Sequence, residues 1–241
     1  MKLKALFLDL DHTLCDTAKA DEMGILHLSQ LLFEAKPDHP FVECQNIVRH
    51  FMTFLYKNPD ELVRAEHEQE DHYRGRLLKW ALDKKLSGNM DLEICCTWID
   101  ALMKNRMEHF DFFEGTAQRL KTWRKKYRLV VITNGPVYSQ RPKAERVNLD
   151  QHVDLVVLAG EHPWQKPDPR LFEWTLQQEG LEPHEAIHIG DSLGSDIAGA
   201  ISANIPSVWV NPSLRHGPRQ PQPDHVIPHI NDLDDVLESF A

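Results

Sequence analysis

Lys4-Ala5-Leu6-Phe7-Leu8-Asp9-Leu10-Asp11-His12-Thr13-Leu14 lies close to the start of the chain. The residues before Asp9 form an apolar run too short for a helix, which reads as a strand buried on both faces. Asp9 is delivered at the strand's C-terminal end, where open α/β sheets bind ligands. Two carboxylates two positions apart beside such a strand are costly to bury unpaired, so a cation or a proton must share their place. These residues suggest a metal-assisted carboxylate site.

Working outward, four more apolar runs look like buried parallel strands: 129–133 (Leu-Val-Val-Ile-Thr), 155–159 (Leu-Val-Val-Leu-Ala), 186–190 (Ala-Ile-His-Ile-Gly) and 207–210 (Ser-Val-Trp-Val). Helical patterns lie between them. Residues 116–127 put Leu120, Trp123 and Tyr127 on neighbouring turns, with Arg124, Lys125 and Lys126 in the last turn, where cations suit the helix dipole. Residues 169–178 carry Phe172 and Leu176, and Gly180 follows as a stop. An Ala-rich helix over 195–203 ends at Asn204, a plausible left-handed cap. Strands alternating with helices predict an α/β fold, a Rossmann-like doubly wound parallel sheet.

Residues 16–110 break this rhythm. They offer only helical stripes: Ile25, Leu28, Leu32 and Ala35; Ile47, Val48, Phe51 and Leu55; Leu92, Cys95, Cys96, Ile99 and Met103. A structureless loop of that length has no place in a compact domain. The expectation is an all-helical module over 16–110, inserted into a core made of 1–15 and 111–241 and overhanging the catalytic end of the sheet. Five prolines at 212, 218, 221, 223 and 228 mark an extended surface segment, and 232–240 closes the chain as a short helix.

Composition narrows the function. The chain has 241 residues, 41% of them hydrophobic, and a net charge of −10, which makes it a poor binder of nucleic-acid backbones. Its four cysteines form no CxxC and its 14 histidines no HxH, and the expectation is that there is no zinc site. Asp9 and Asp11 interrupt the first apolar run too early for a signal peptide, and no stretch reaches transmembrane length. The expectation is a cytoplasmic protein with reduced thiols, acting on a small molecule, with no nucleic-acid or membrane partner.

Four motifs carry chemistry. The first is Asp9-Leu-Asp11-His-Thr13. The second, Thr133-Asn134-Gly135, closes the second strand with a hydroxyl and amides able to meet a phosphate. The third is Lys166, in the loop after the third strand. The fourth is Gly190-Asp191-Ser-Leu-Gly-Ser-Asp196, which closes the fourth strand with a hard-oxygen ligand at Asp191 and a second carboxylate close behind it. Each has a bland alternative: an Asx-capped turn, an Asn-Gly turn, a surface lysine, a helix-start carboxylate. Together they bring carboxylates, a Thr-Asn pair and a lysine to one edge of one sheet.

On these residues the chain resembles the haloacid dehalogenase-like hydrolase superfamily, in the subgroup with a helical cap between the first two motifs. The context Gly160-Glu161 through Lys166-Pro-Asp-Pro is similar to the phosphatases of sugar phosphates, nucleoside monophosphates and N-acylneuraminate 9-phosphate. The resemblance implies Mg²⁺-dependent hydrolysis of a small phosphate ester through an aspartyl-phosphate. Asp9 would be the nucleophile and Asp11 the general acid and then base, with a raised pKa. Thr133 and the Asn134 amide would hold phosphoryl oxygens, and Lys166 would add positive charge. Asp9, Asp191, the main-chain carbonyl of Asp11, and Asp196 behind them would form the metal site. The acid at Asp11 argues against the dehalogenase branch, since halide leaves without a proton. A phosphomutase stays open, as does a phospho-accepting signalling domain, although an acid–base group and a large insertion suit the latter poorly.

Overall fold

Ala5–Leu8 forms β1, and every residue in it is buried. In the computed structural model, which describes residues 2–57, 72–86, 89–213 and 220–240, β1 lies at the centre of a six-stranded sheet. The others are β2 (Arg128–Thr133), β3 (Leu155–Leu158), β4 (Ala186–Gly190), β5 (Ser207–Val210) and β6 (His225–Ile227). Their order is β3-β2-β1-β4-β5-β6, and every pairing is parallel. The strand order reverses between β1 and β4. A doubly wound sheet opens its ligand crevice there, at the carboxyl ends.

The chain divides into two compact units, Met1–Thr17 with Phe110–Ala241, and Ala18–His109. Asp16, Thr17 and Phe110 thus belong with the sheet rather than with the insertion. The local bonds explain why. Asp16 donates its amide to the Asp111 carbonyl, Thr17 is bonded to Asp11, and Phe110 is buried under the Lys143 ammonium.

In the sheet unit, Phe7, Val130, Ile132 and Val157 pack with Leu171, Phe172 and Leu176 of the helix Pro169–Glu179. That helix starts where Asp168 accepts the Arg170 amide and stops at Gly180 in the left-handed region. The helix after β4 is not a plain α-helix. It opens as a wide π turn over Leu193–Ile197 and becomes α-helical over Ala198–Ser202, with Asn204 at φ 58° just beyond. The helix Thr116–Trp123 ends before Arg124, which instead ties a turn to Asp154 and to the Gln151 carbonyl. The sixth strand corrects the expectation of an extended tail. Only one side of an edge strand needs partners, so the flanking prolines are tolerated. The Asp224 carboxylate fixes its start by accepting from the Ser207 amide and hydroxyl.

The helical unit contains α1 (Thr17–Ala35, from Ala18 on), α2 (Phe41–Lys57), α3 (Tyr73–Lys85) and α4 (Leu92–Glu108). Leu28, Leu32, Val48, Phe51, Leu78, Leu82 and Leu102 are the centre of its core. On α4 the buried stripe is Cys95, Trp98, Ile99 and Leu102, and Leu92, Cys96 and Met103 are only partly covered. α3 packs closely on α4: a Cβ at Gly75 would come within 2.3 Å of the Cys96 sulfur. Among the described residues no helix is long and apolar enough to cross a membrane.

Candidate active site

Asp9 directly follows β1 and donates its amide to the Ile189 carbonyl at 2.9 Å, so it sits at the carboxyl edge between β1 and β4. The chain then turns sharply. His12 takes φ 60°, and the amides of Leu14 and Cys15 both return to the Leu10 carbonyl. A left-handed histidine costs backbone energy, and such strain gathers where a chain must present side chains to a site.

Lys166 is almost wholly buried, not a surface lysine. Its Nζ donates to Asp9 Oδ1 at 2.6 Å, to Asp196 Oδ1 at 2.6 Å and to the Ile132 carbonyl at 2.7 Å. An ammonium has three hydrogens, and all are placed. Burial alone would depress this lysine, but Asp196 and Asp9 outweigh it and hold the pKa above its ordinary value. Asn134 secures the same loop: its side-chain amide donates to the Lys166 carbonyl at 2.7 Å and its Oδ1 accepts the Lys166 amide at 2.8 Å. The Asn134 side chain is therefore committed to the loop.

Asp196 is equally committed. Oδ1 also receives buried His188 Nε2 at 3.1 Å, and Oδ2 accepts the Ser192 amide at 3.0 Å. Burial pushes its pKa up, yet Lys166 and His188 outweigh burial and keep it well below the carboxylate range. Gly190 makes room for it, since a Cβ there would lie 2.2 Å from the Asp196 carboxyl carbon. Asp191, half-buried, completes the group, and one oxygen each from Asp9, Asp191 and Asp196 lie within 4.8 Å of one another.

Asp11 belongs to a second cluster. Its carboxylate accepts from Thr17 Oγ1 at 2.7 Å, from Gln140 Nε2 at 2.8 Å and from Lys143 Nζ at 2.8 and 2.9 Å. Burial pushes its pKa up, but Lys143, Gln140 and Thr17 stabilise the charged form and bring it down to about 2. The expected raised pKa is thus corrected. The proximity of Asp9 matters less than a lysine bonded to both oxygens.

The charge balance tests whether a metal fits. Lys143 answers Asp11, and Lys166 answers one carboxylate among Asp9, Asp191 and Asp196. Burial, opposed by Lys166 and reinforced by Asp196, pushes Asp9 up to about 8. Burial and the Asp196 charge push Asp191 up to about 6. Two carboxyls with raised pKa and oxygens within reach of each other are short of positive charge. A hard divalent cation with oxygen ligands fits that deficit.

Gln140, Lys143, Thr17 and His188 have no place in the four sequence motifs. One sequence signal existed for two of them. The helix Val137–Arg146 follows a central strand and must bury a face, yet its buried residues are Gln140 and Lys143. A helix with so few apolar residues beside a sheet announces a polar inward face. His188 was hidden inside an apolar run.

The pattern that describes the haloacid dehalogenase-like hydrolases matches residues 6–210. N-acylneuraminate-9-phosphatase of Homo sapiens is 26% identical over 247 residues, covering 99% of this chain and 95% of that protein. Phosphoserine phosphatase of Thermus thermophilus is 28% identical, covering 99% of this chain and all (100%) of that protein. Among solved structures, the magnesium-bound HAD-hydrolase YfnB of Bacillus subtilis, itself of unestablished activity, shares the fold with a TM-score of 0.72. It is 19% identical over 98% of this chain and 99% of that one.

Proposed function

The chain belongs to the haloacid dehalogenase-like hydrolase family, and from that premise we propose a Mg²⁺-dependent phosphatase that hydrolyses a small phosphorylated metabolite through an aspartyl-phosphate. It is a phosphoric monoester hydrolase of that family. One observation carries the mechanism: Lys166 lies 2.6 Å from both Asp9 and Asp196 at the strand-order reversal, with Asp191 beside them. Asp9 directly follows β1, and among the described residues its Oδ1 is bonded by Lys166 while Oδ2 has no hydrogen-bond donor.

Asp9 attacks phosphorus, its carboxylate forming the new P–O bond as the ester P–O bond breaks and the alkoxide leaves with a proton from Asp11. Water then attacks the aspartyl-phosphate, Asp11 takes its proton, and Asp9 and inorganic phosphate are released. The ionised Asp11 of the free enzyme has the form needed for the second half, so it must gain a proton with substrate bound before the first. Thr133 and the Asn134 backbone amide hold the non-bridging oxygens. Lys166 fixes Asp9 and keeps positive charge behind the reacting phosphoryl group. Asp9, Asp191 and the Asp11 carbonyl would hold Mg²⁺, with Asp196 behind them as the anchor of Lys166. Bound Mg²⁺ supplies the charge that lets an anionic nucleophile approach an anionic ester.

The helical unit acts as a cap that selects the leaving group, because the sheet motifs concern the phosphoryl group that all candidate substrates share. The two relatives described act, by their names, on an acylneuraminate phosphate and on phosphoserine, which supports a small polar phosphate ester as substrate. Steady release of phosphate from p-nitrophenyl phosphate in Mg²⁺, followed by a panel of phosphorylated metabolites, tests the proposal. A signalling domain would give no turnover, and a mutase would isomerise a sugar phosphate faster than it releases phosphate.

A further inference from the structure

Gln140 and Lys143 are buried polar side chains that no step above uses directly. Lys143 donates to Gln140 Oε1 at 2.9 Å as well as to both oxygens of Asp11. Gln140 Nε2 donates to Asp11 Oδ2 at 2.8 Å and to Thr133 Oγ1 at 2.5 Å. The amide can face only one way. An ammonium has nothing but hydrogens to offer, so it must meet the amide oxygen. A carboxylate only accepts, so it must meet the amide nitrogen. Both ends demand the same orientation.

The consequence falls on Thr133. Its oxygen accepts one of the two Nε2 hydrogens, so its own hydrogen cannot lie along that contact and must point elsewhere. Thr133 ends β2, beside β1 and the Asp9 that follows it. A hydroxyl free to rotate would present a lone pair to a bound anion part of the time. One with a lone pair already taken has only its remaining directions for the hydrogen, so the donor orientation is favoured before the anion arrives, which is preorganisation of the kind that stabilises phosphoryl charge.

We infer that Gln140 and Lys143 are positioning residues: Lys143 fixes the Gln140 amide, and Gln140 fixes the Thr133 hydroxyl as a donor to the phosphoryl oxygens while holding Asp11 in the same clamp. This rests on the phosphatase proposal, because it needs Thr133 to meet a phosphoryl group. It also gives a reason for the polar inward face of the helix Val137–Arg146. An apolar residue at 140 would fill the space but leave the hydroxyl unset.

The test is a double-mutant cycle read by equilibrium binding. The dissociation constant of inorganic orthovanadate is measured by calorimetry, in Mg²⁺, for wild type, Thr133→Val, Gln140→Met and the double variant. Thr133→Val should weaken binding about tenfold or more, the loss expected for one hydrogen bond to a charged group. Gln140→Met should weaken it several-fold although it touches no ligand. The double variant should bind no worse than Thr133→Val alone. Melting curves check folding, and Gln140→Leu repeats the cycle with a different shape at the same site. If Thr133→Val weakens binding and Gln140→Met either does not, or adds its full effect in the double variant, the inference is overturned. If wild type does not bind orthovanadate, or Thr133→Val leaves binding unchanged, the placing of Thr133 on the phosphoryl group fails first.

Discussion

The two units of this chain fill their interiors in opposite ways. Of the 15 buried polar and charged residues among those described, the helical unit holds only Ser29 and Arg106. Ser29 donates back to its own helix at the Ile25 carbonyl, and Arg106 pairs with Asp21 at 2.5 Å. The sheet unit holds the rest, among them Asp9, Gln140, Lys143, Lys166, His188 and Asp196. Apolar packing alone can hold a helical bundle together. Buried charge is expensive and is tolerated where it is paired and put to use. The difference separates a unit whose interior serves stability from one whose interior serves chemistry, and mutation can break that separation.

The largest expected effect is at Asp9. Asp9→Asn keeps the shape and removes the nucleophile, so kcat should fall by at least ~10⁴-fold on every phosphate ester. The protein should still melt cooperatively. A purified variant with a tenth of wild-type turnover would end the nucleophile assignment and, with it, the chemical half of the comparison.

Metal removal comes next. EDTA should abolish turnover, and Mg²⁺ should restore it where Zn²⁺ does not, because the site offers oxygen ligands. Asp191→Ala should raise the Mg²⁺ concentration needed for half-maximal rate. Full activity after exhaustive chelation would refute the metal site.

Lys166 tests both properties at once. Lys166→Met leaves Asp9 and Asp196 buried without their shared cation, a loss of about 3–5 kcal/mol in stability by analogy with broken buried pairs. It should also depress all substrates together. Leu78→Ala, in the core of the helical unit, should cost a similar ~2–5 kcal/mol. Below its melting transition it should nevertheless hydrolyse p-nitrophenyl phosphate near the wild-type rate. Equal loss of generic hydrolysis in the two variants would erase the contrast between the units.

The smallest effects belong to exposed polar residues of the helical unit. His72 and Arg76 are exposed and Tyr73 is partly covered, while Arg64 and His67, the other sequence candidates for substrate selection, lie outside the described residues. His72→Ala and Arg76→Ala probe this face. Neither should alter p-nitrophenyl phosphate hydrolysis. For the natural substrate, kcat/KM should fall wherever the side chain meets the leaving group, as a metabolite panel run on both variants would reveal. Uniform losses across substrates would mean that the unit serves folding rather than selection.

The first five strands were legible because each is an apolar run whose meaning depends on its immediate neighbours. The sixth was not, because His225-Val226-Ile227 is three residues long among prolines and becomes a strand only by pairing with β5. The stripe on α4 was legible at Cys95 and Ile99, while Trp98 and Leu102 are buried where Cys96 and Met103 were expected. At the candidate site, positions were legible and partners were not. Asn134 was read for its amide at a phosphate, and the bonds by which its side chain clamps the Lys166 loop were not legible.

Spacing along the chain determined that Asp9 would end a buried strand, that Thr133 would end another, and that Asp191 and Asp196 would follow a third. A strand delivers its last residue to the sheet's edge whatever lies elsewhere, so a local pattern suffices. Only the tertiary structure decided which charges meet. Lys166 reaches Asp9 across 157 positions, and Lys143 reaches Asp11 across 132. Ionisation and hydrogen-bond direction depend on distances of a few ångströms between such remote residues, which no local pattern contains. Asp11 therefore carries a depressed pKa where its nearest neighbours in sequence pointed to a raised one.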